Sequence, residues 1–256
     1  MKKIKDALNV KSIEIQPDVF LHLLNIEKIN DDLKKHMDDV LIDIYSKGQD
    51  SEIELVKLKL KKYFNSKKDS TLEIGSIAEF FIHLYLNLIG FQQECLYKNL
   101  EENAIKKGFD GFYTKCDEIW IMESKSGNIT TKNICHKEKI NEAYSDLSKK
   151  FSGKTSNNPW ENAFSHAKQA GSDSNLLSAI KKLENMYTRE EYTIITDYNI
   201  IPCSTIFFDA GTFTHINIDN LKESIMKFLK GKKFKKINII CVNKKTKELF
   251  LEYLKS

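Results

Sequence analysis

The residues best suited to chemistry lie between positions 108 and 127, GFDGFYTKCDEIWIMESKSG. There the apolar run Ile119, Trp120, Ile121, Met122 gives way to Glu123, Ser124 and Lys125. On a strand, side chains two apart share a face, so Glu123 and Lys125 point with Ile119 and Ile121 while Trp120 and Met122 take the other side. Apolar residues on both faces predict a central strand. An upstream strand over 109–114 leads into it through Lys115, Cys116, Asp117 and Glu118. A hairpin turning on Cys116-Asp117 sets Lys115 opposite Glu118 and Asp110 opposite Glu123, with Cβ atoms ~4.5–5.5 Å apart. These turn residues are weak hairpin formers, but a slip of two residues leaves both carboxylates on one face.

Two neighbouring carboxylates in a half-buried site repel each other unless a cation sits between them. Oxygen ligands favour a hard ion, Mg²⁺ or Mn²⁺. Lys125 beside such an ion can orient or help deprotonate an attacking water, or stabilise charge developing on a phosphoryl group. Gly108 and Gly111 flank the aspartate and would admit a bulky backbone such as a phosphodiester. The same residues admit a structural reading, in which Glu123 and Lys125 form an ion pair at a strand end and Asp110 is a turn residue.

The elements that must position these residues follow from periodicity. LEIGSIAEFFIHLYLNLIG reads as a helix capped by Ser70 or Thr71 and stopped at Gly90. It is apolar around most of its circumference, apart from a strip of Ser76, Glu79, His83 and Asn87 that is either its solvent edge or the lining of a polar cavity. Upstream, VFLHLLNIEKI, DLKKHMDDVLIDIYSK and EIELVKLKLKKYF carry helical spacing. Downstream, HKEKINEAYSDLSKKF is an amphipathic helix with Ile140, Ala143, Tyr144 and Leu147 on one face, and ENAFSHAKQA and NLLSAIKKLENMY are further helices. FQQECLYKN, YTIITD, IIPCSTIFFD and INIICVN read as strands, NLKESIMKFLKG as a helix opened by Asn220 with Glu223 in capping-box spacing, and TKELFLEYLK as a short helix. A polar loop separates FQQECLYKN from the candidate site. The pattern predicts a mixed α/β fold, with a helical lobe over 1–68 and an α/β domain with a C-terminal extension over 69–256.

Composition narrows the class. The 256 residues are 41% hydrophobic and 30% charged, with ten glycines and three prolines, which describes a soluble globular chain rather than a disordered one. No signal-peptide core or membrane-length apolar stretch is visible, and five scattered cysteines without a CxxC pair suit a reducing cytoplasm. Cys135-His136 lacks the second cluster that a structural zinc site needs. From residue 211 onward eleven lysines face four acids, against a whole-chain balance of +4. Lys232, Lys233, Lys235 and Lys236, together with Lys132 and Lys137, are candidates for phosphate contact, or else a solvated surface. Arg189 is the only arginine, so bidentate base reading is not expected and nucleic acid would be held without sequence choice.

Asp110, a spacer of roughly a dozen residues and Glu123-x-Lys125 at a strand end resemble the PD-(D/E)xK (restriction-endonuclease-like) nuclease core, a mixed sheet with flanking helices. The helix before that core often supplies one more acid, which Glu79 matches. From about residue 70, the stretches IGSIAEFFIHLYL, KGFDGFY, IWIMESKSG, HKEKINEAYSDLSKKF, YNIIPCSTIFFD and INIICVNKKTKELFLEYL look like the HamA nuclease subunit of Hachiman anti-phage defence. The resemblance implies a Mg²⁺- or Mn²⁺-dependent DNA phosphodiesterase with little sequence preference that acts with a partner helicase subunit. It implies Asp110, Glu123 and Glu79 as metal ligands and Lys125 as a catalytic residue beside them. The rivals are a stand-alone restriction-type endonuclease and a non-catalytic interaction module that keeps the acid–lysine cluster as a structural ion pair.

Overall fold

The computed structural model describes residues 2–50, 52–98 and 108–256. The polar loop upstream of the candidate site, and the end of the stretch read as strand 91–99, fall outside them. The chain runs α1 (Lys2–Ala7), β1 (Val10–Gln16), β2 (Val19–Ile26), α2 (Asp31–Ser46), α3 (Ile53–Ser66), α4 (Thr71–Leu88), β3 (Gln92–Gln93), β4 (Gly111–Lys115), β5 (Glu118–Asn128) and α5 (His136–Phe151). It continues through α6 (Pro159–Gln169), α7 (Ser174–Thr188), β6 (Asn199–Phe208), α8 (Ile218–Leu229), β7 (Lys236–Lys245) and α9 (Glu248–Tyr253).

The strands form one seven-stranded sheet in the order β1-β2-β7-β6-β5-β4-β3. Its centre is parallel, with β2, β7, β6 and β5 running the same way, and an antiparallel hairpin closes each side. Strands buried on both faces read as continuous apolar runs, and β5, β6 and β7 do so. One face carries Trp120, Met122, Ile201, Cys203, Ile240 and Val242 against α2, α3, α4 and α9. The other carries Phe112, Ile121, Ile200, Ile239 and Cys241 against α5, α6, α7 and α8. The alternation expected for 119–122 is therefore the one observed.

Several elements differ from the periodicity reading. Val19–Ile26 is a strand, not a helix, paired antiparallel with β1 and parallel with β7. Buried on both sides, it is apolar at nearly every position, and such a run suits helix and strand equally. YTIITD is not a strand: Ile195–Asp197 is one turn of 3₁₀ helix leading into β6. Helix α8 starts earlier than Asn220, capped by Asn217, whose side chain accepts from the Asp219 N–H. The cap of α4 is Ser70, accepting from the Glu73 N–H. Its polar strip is not a solvent edge at Ser76 and His83, both of which are buried. Ser76 Oγ meets Tyr63 Oη at 3.1 Å, and the His83 Nδ1 meets the Tyr113 hydroxyl.

A buried polar row crosses the sheet near the start of α5. The Asn243 side-chain N–H donates to Asn25 Oδ1 at 2.9 Å, Asn243 Oδ1 meets His136 Nε2 at 2.8 Å, and His136 Nδ1 meets Ser204 Oγ at 2.8 Å. Burial pushes His136 down to about 4, so it is a neutral imidazole whose two nitrogens are both engaged. This ties the first residue of α5 to β6 and β7.

Candidate functional site

The site is built at the end of the β4–β5 hairpin. Lys115 pairs with Glu118 and Gly111 with Met122, the register expected from the sequence. Cys116 and Asp117 both take positive φ, 48° and 61°, as a two-residue type I′ hairpin turn requires, although neither is glycine or asparagine. The ladder stops at Gly111, and the next residue outward is Asp110. Its Oδ2 accepts the Ser124 N–H at 2.8 Å, so the side chain takes up a donor that β4 no longer reaches.

The two glycines beside Asp110 serve internal packing rather than backbone approach by a ligand. A Cβ on Gly108 would lie 2.5 Å from the Pro159 carbonyl oxygen, and one on Gly111 would lie 2.7 Å from Tyr113 Cε2 and 2.9 Å from Met122 Cε. The space expected for a phosphodiester at these positions is filled by the protein itself.

Glu123 is 3% exposed and carries two ammonium groups. Lys125 Nζ donates to its Oε1 at 3.0 Å, and Lys150 Nζ, from α5, donates to its Oε2. Lys125 also pairs with Asp146 Oδ2 of α5 at 2.8 Å. Burial raises the Glu123 carboxyl above its ordinary value, and the Asp110 charge adds to this, while Lys150 and Lys125 pull it back. For Lys125, burial works downward, but Glu123, Asp146 and Asp110 outweigh it and hold the amine above its ordinary value. Burial likewise opposes ionisation of Asp146, and the Lys125 contact brings that carboxyl below its ordinary value.

Asp110, Glu123 and Lys125 are thus brought together. Glu79 lies on α4, against the other face of the sheet, where its charge adds to burial in raising the Tyr97 and Tyr113 phenols. Among the described residues, no group of three or more His, Cys, Asp or Glu side chains is placed to hold a metal ion. The fit for a divalent ion therefore rests on the Asp110–Glu123 pair. Mg²⁺ is commonly held by one or two carboxylates and keeps several waters, so a pair is a suitable donor set, and the ammoniums on Glu123 already mark a place where positive charge is favoured.

Asp146 and Lys150 were not singled out in the sequence. The available signal was their spacing of four beside the apolar stripe of α5, which puts them on one flank of the helix. The lysine candidates are scattered. Lys132, Lys233 and Lys235 are exposed, whereas Lys137 pairs with Glu138 at 2.9 Å and Lys236 with Glu118 at 2.9 Å. Lys232 donates to Asn141 at 2.8 Å and lies 4.7 Å over the Tyr144 ring. Lys236 is in register with Asn199 and Trp120, so the basic run lies toward the strand starts, about 10 Å short of Glu123 along the strand direction.

A family model, HamA, matches residues 3–255. The chain belongs to the HamA family. HamA is a component of Hachiman, a multi-component antiviral defence system. The match takes in β1, β2 and α1 to α3, the part of the chain without a resemblance of its own at the sequence level. No curated protein matches the chain. Among the described residues of this HamA protein, no helix is long and apolar enough to cross a membrane.

Proposed function

We propose that the protein is a Mg²⁺- or Mn²⁺-dependent DNA nuclease of PD-(D/E)xK type, acting in the cytoplasm as the effector of a Hachiman complex with a helicase subunit. The observation that carries the reading is the convergence of Asp110 and buried Glu123 at the open end of the β4–β5 hairpin, with Lys125 one step along the same face. Asp110 and Glu123 would hold the ion, and Glu79 would act at longer range from α4. A divalent ion held there supplies polarisation of a phosphoryl oxygen and a more acidic water. Lys125, held charged by Glu123 and Asp146, would stabilise the negative charge that develops on the phosphoryl oxygens and orient the attacking water. The exposed Lys132, Lys233 and Lys235 would contact the DNA backbone, with Lys137, Lys232 and Lys236 joining them by exchanging their present partners, and binding would depend steeply on salt.

A second reading is supported by the pairing of both Glu123 oxygens with lysine: the cluster is a structural ion network in an interaction module. The experiment that separates the two is plasmid nicking with Mg²⁺ and with EDTA, by the protein alone and with its helicase plus ATP. Metal-dependent nicking that is lost in Glu123→Ala/Lys125→Ala supports the nuclease. Nicking that persists in the double variant refutes the site.

A further inference from the structure

We propose that Lys150 gates the metal site: its ammonium rests on Glu123 Oε2, and a divalent ion gains that oxygen only as Lys150 lets it go. The inference rests on the metal-site reading above. The two lysines at Glu123 are differently held. Lys125 has a second carboxylate, Asp146, at 2.8 Å, and belongs to β5 itself. Among the described residues, Lys150 has Glu123 as its one carboxylate partner, and it reaches across from the last turn of α5. Its side chain is 15% exposed, so the ion pair is drawn largely out of water and competes in earnest with an incoming cation. An alternative perch lies at hand, since the Lys150 ammonium is 5.8 Å from the centre of the Phe109 ring, next to Asp110.

Two further features fit a gate rather than a passive pair. Asp110 and Glu123 repel each other electrostatically, so positive charge is favoured beside them, and Lys150 supplies it together with Lys125. Asp146 and Lys150 sit four residues apart on one helix, so a small movement of α5 alters both outer contacts of the network together. If Lys150 holds Glu123 in about nine of ten molecules, the apparent dissociation constant for the ion rises about tenfold over that of an ungated site.

The test is a Mn²⁺ titration of the full chain without DNA at pH 8, following free Mn²⁺ by electron paramagnetic resonance. Lys150→Met should bind Mn²⁺ about tenfold more tightly than the wild type, Lys150→Arg should bind like the wild type, and Glu123→Gln should abolish binding in both backgrounds. Circular dichroism checks each fold, and Lys150→Gln stands in should the methionine variant not fold. Equal or weaker binding in Lys150→Met, with wild-type binding still dependent on Glu123, overturns the gate and leaves the metal site intact. Absence of Mn²⁺ binding in every variant, or binding indifferent to Glu123, overturns both.

Discussion

Replacing Glu123 by glutamine is the most revealing single change, because it preserves shape while removing the charge and turning one of the two acceptor oxygens into an N–H donor. In the wild type the carboxylate, 3% exposed, faces Lys125 at 3.0 Å and Lys150 on its other oxygen. Removing one partner of a buried ion pair costs about 3–5 kcal/mol when the remaining charge cannot reach water. Two effects reduce that here. Lys125 and Lys150 are 27% and 15% exposed, and Lys125 keeps Asp146; the repulsion between Asp110 and Glu123 also disappears. A net loss of about 1–3 kcal/mol is expected, the lower part of the range for a buried charge left with partial access to solvent. For a chain of this size that corresponds to a fall in Tm of roughly 2–12 °C. The measurement is thermal unfolding by circular dichroism at pH 7.5 in EDTA, with Glu123→Gln/Lys150→Met as the companion. The double variant leaves no uncompensated ammonium on that oxygen and should recover part of the loss. An unchanged or higher Tm in Glu123→Gln alone would refute the claim that the network supports the fold. Adding Mg²⁺ should raise Tm in the wild type and not in the variant, since only a ligand of the folded state stabilises it.

Three other outcomes follow from the same geometry. His22 and His136 are both pushed down to about 4 by burial, so their neutral forms stabilise the fold above pH 6.5, and that contribution is lost as pH falls from 6.5 through 4. His136→Gln should flatten the dependence of Tm on pH in that window, and an unaltered slope would refute the assignment. Lys244 is fully buried over the Phe81 ring and pushed down to about 7, so folding opposes its charge, most strongly at and below neutrality. Lys244→Met should therefore raise Tm at pH 6.5 and lose that advantage as pH approaches 10.5, a crossover readable by differential scanning calorimetry. Gly108→Ala would force its Cβ to 2.5 Å from the Pro159 carbonyl oxygen and should cost about 1–3 kcal/mol in urea unfolding. Retained stability would show that the loop before Asp110 is not pressed against α6.

The candidate site was more legible in the sequence than the strand order around it. A period of two, with apolar residues on both faces of 119–122 and two residues between the strands, puts Asp110 and Glu123 on one face, and the observed ladder, which runs to Gly111–Met122, follows the expected register. The same reasoning fails at Val19–Ile26, where eight consecutive buried or half-buried positions hide the period altogether. The parallel pairing of β2 with β7 joins residues more than two hundred apart, and local pattern carries no trace of it. Lys150 escaped notice for a similar reason. On its helix it is one lysine among several, and its meaning comes from Glu123 across the interface. Glu79 shows the converse: its polar strip was visible, but the strip faces buried tyrosines, and no three-acid cluster forms around it among the described residues.

The pinned start of α5 has a mechanical consequence. His136 fixes that end of the helix to β6 and β7, while Lys150 lies fourteen residues on, about 21 Å away at 1.5 Å per residue. The far end is seated as well: Phe151, next to Lys150, is fully buried and stacks on Tyr198 with ring centroids 4.3 Å apart, so the helix is held at both ends. The first anchor runs on through Asn243 to Asn25 on β2, so the helix that presents Lys150 to Glu123 is seated across three neighbouring strands of the sheet, β2, β7 and β6.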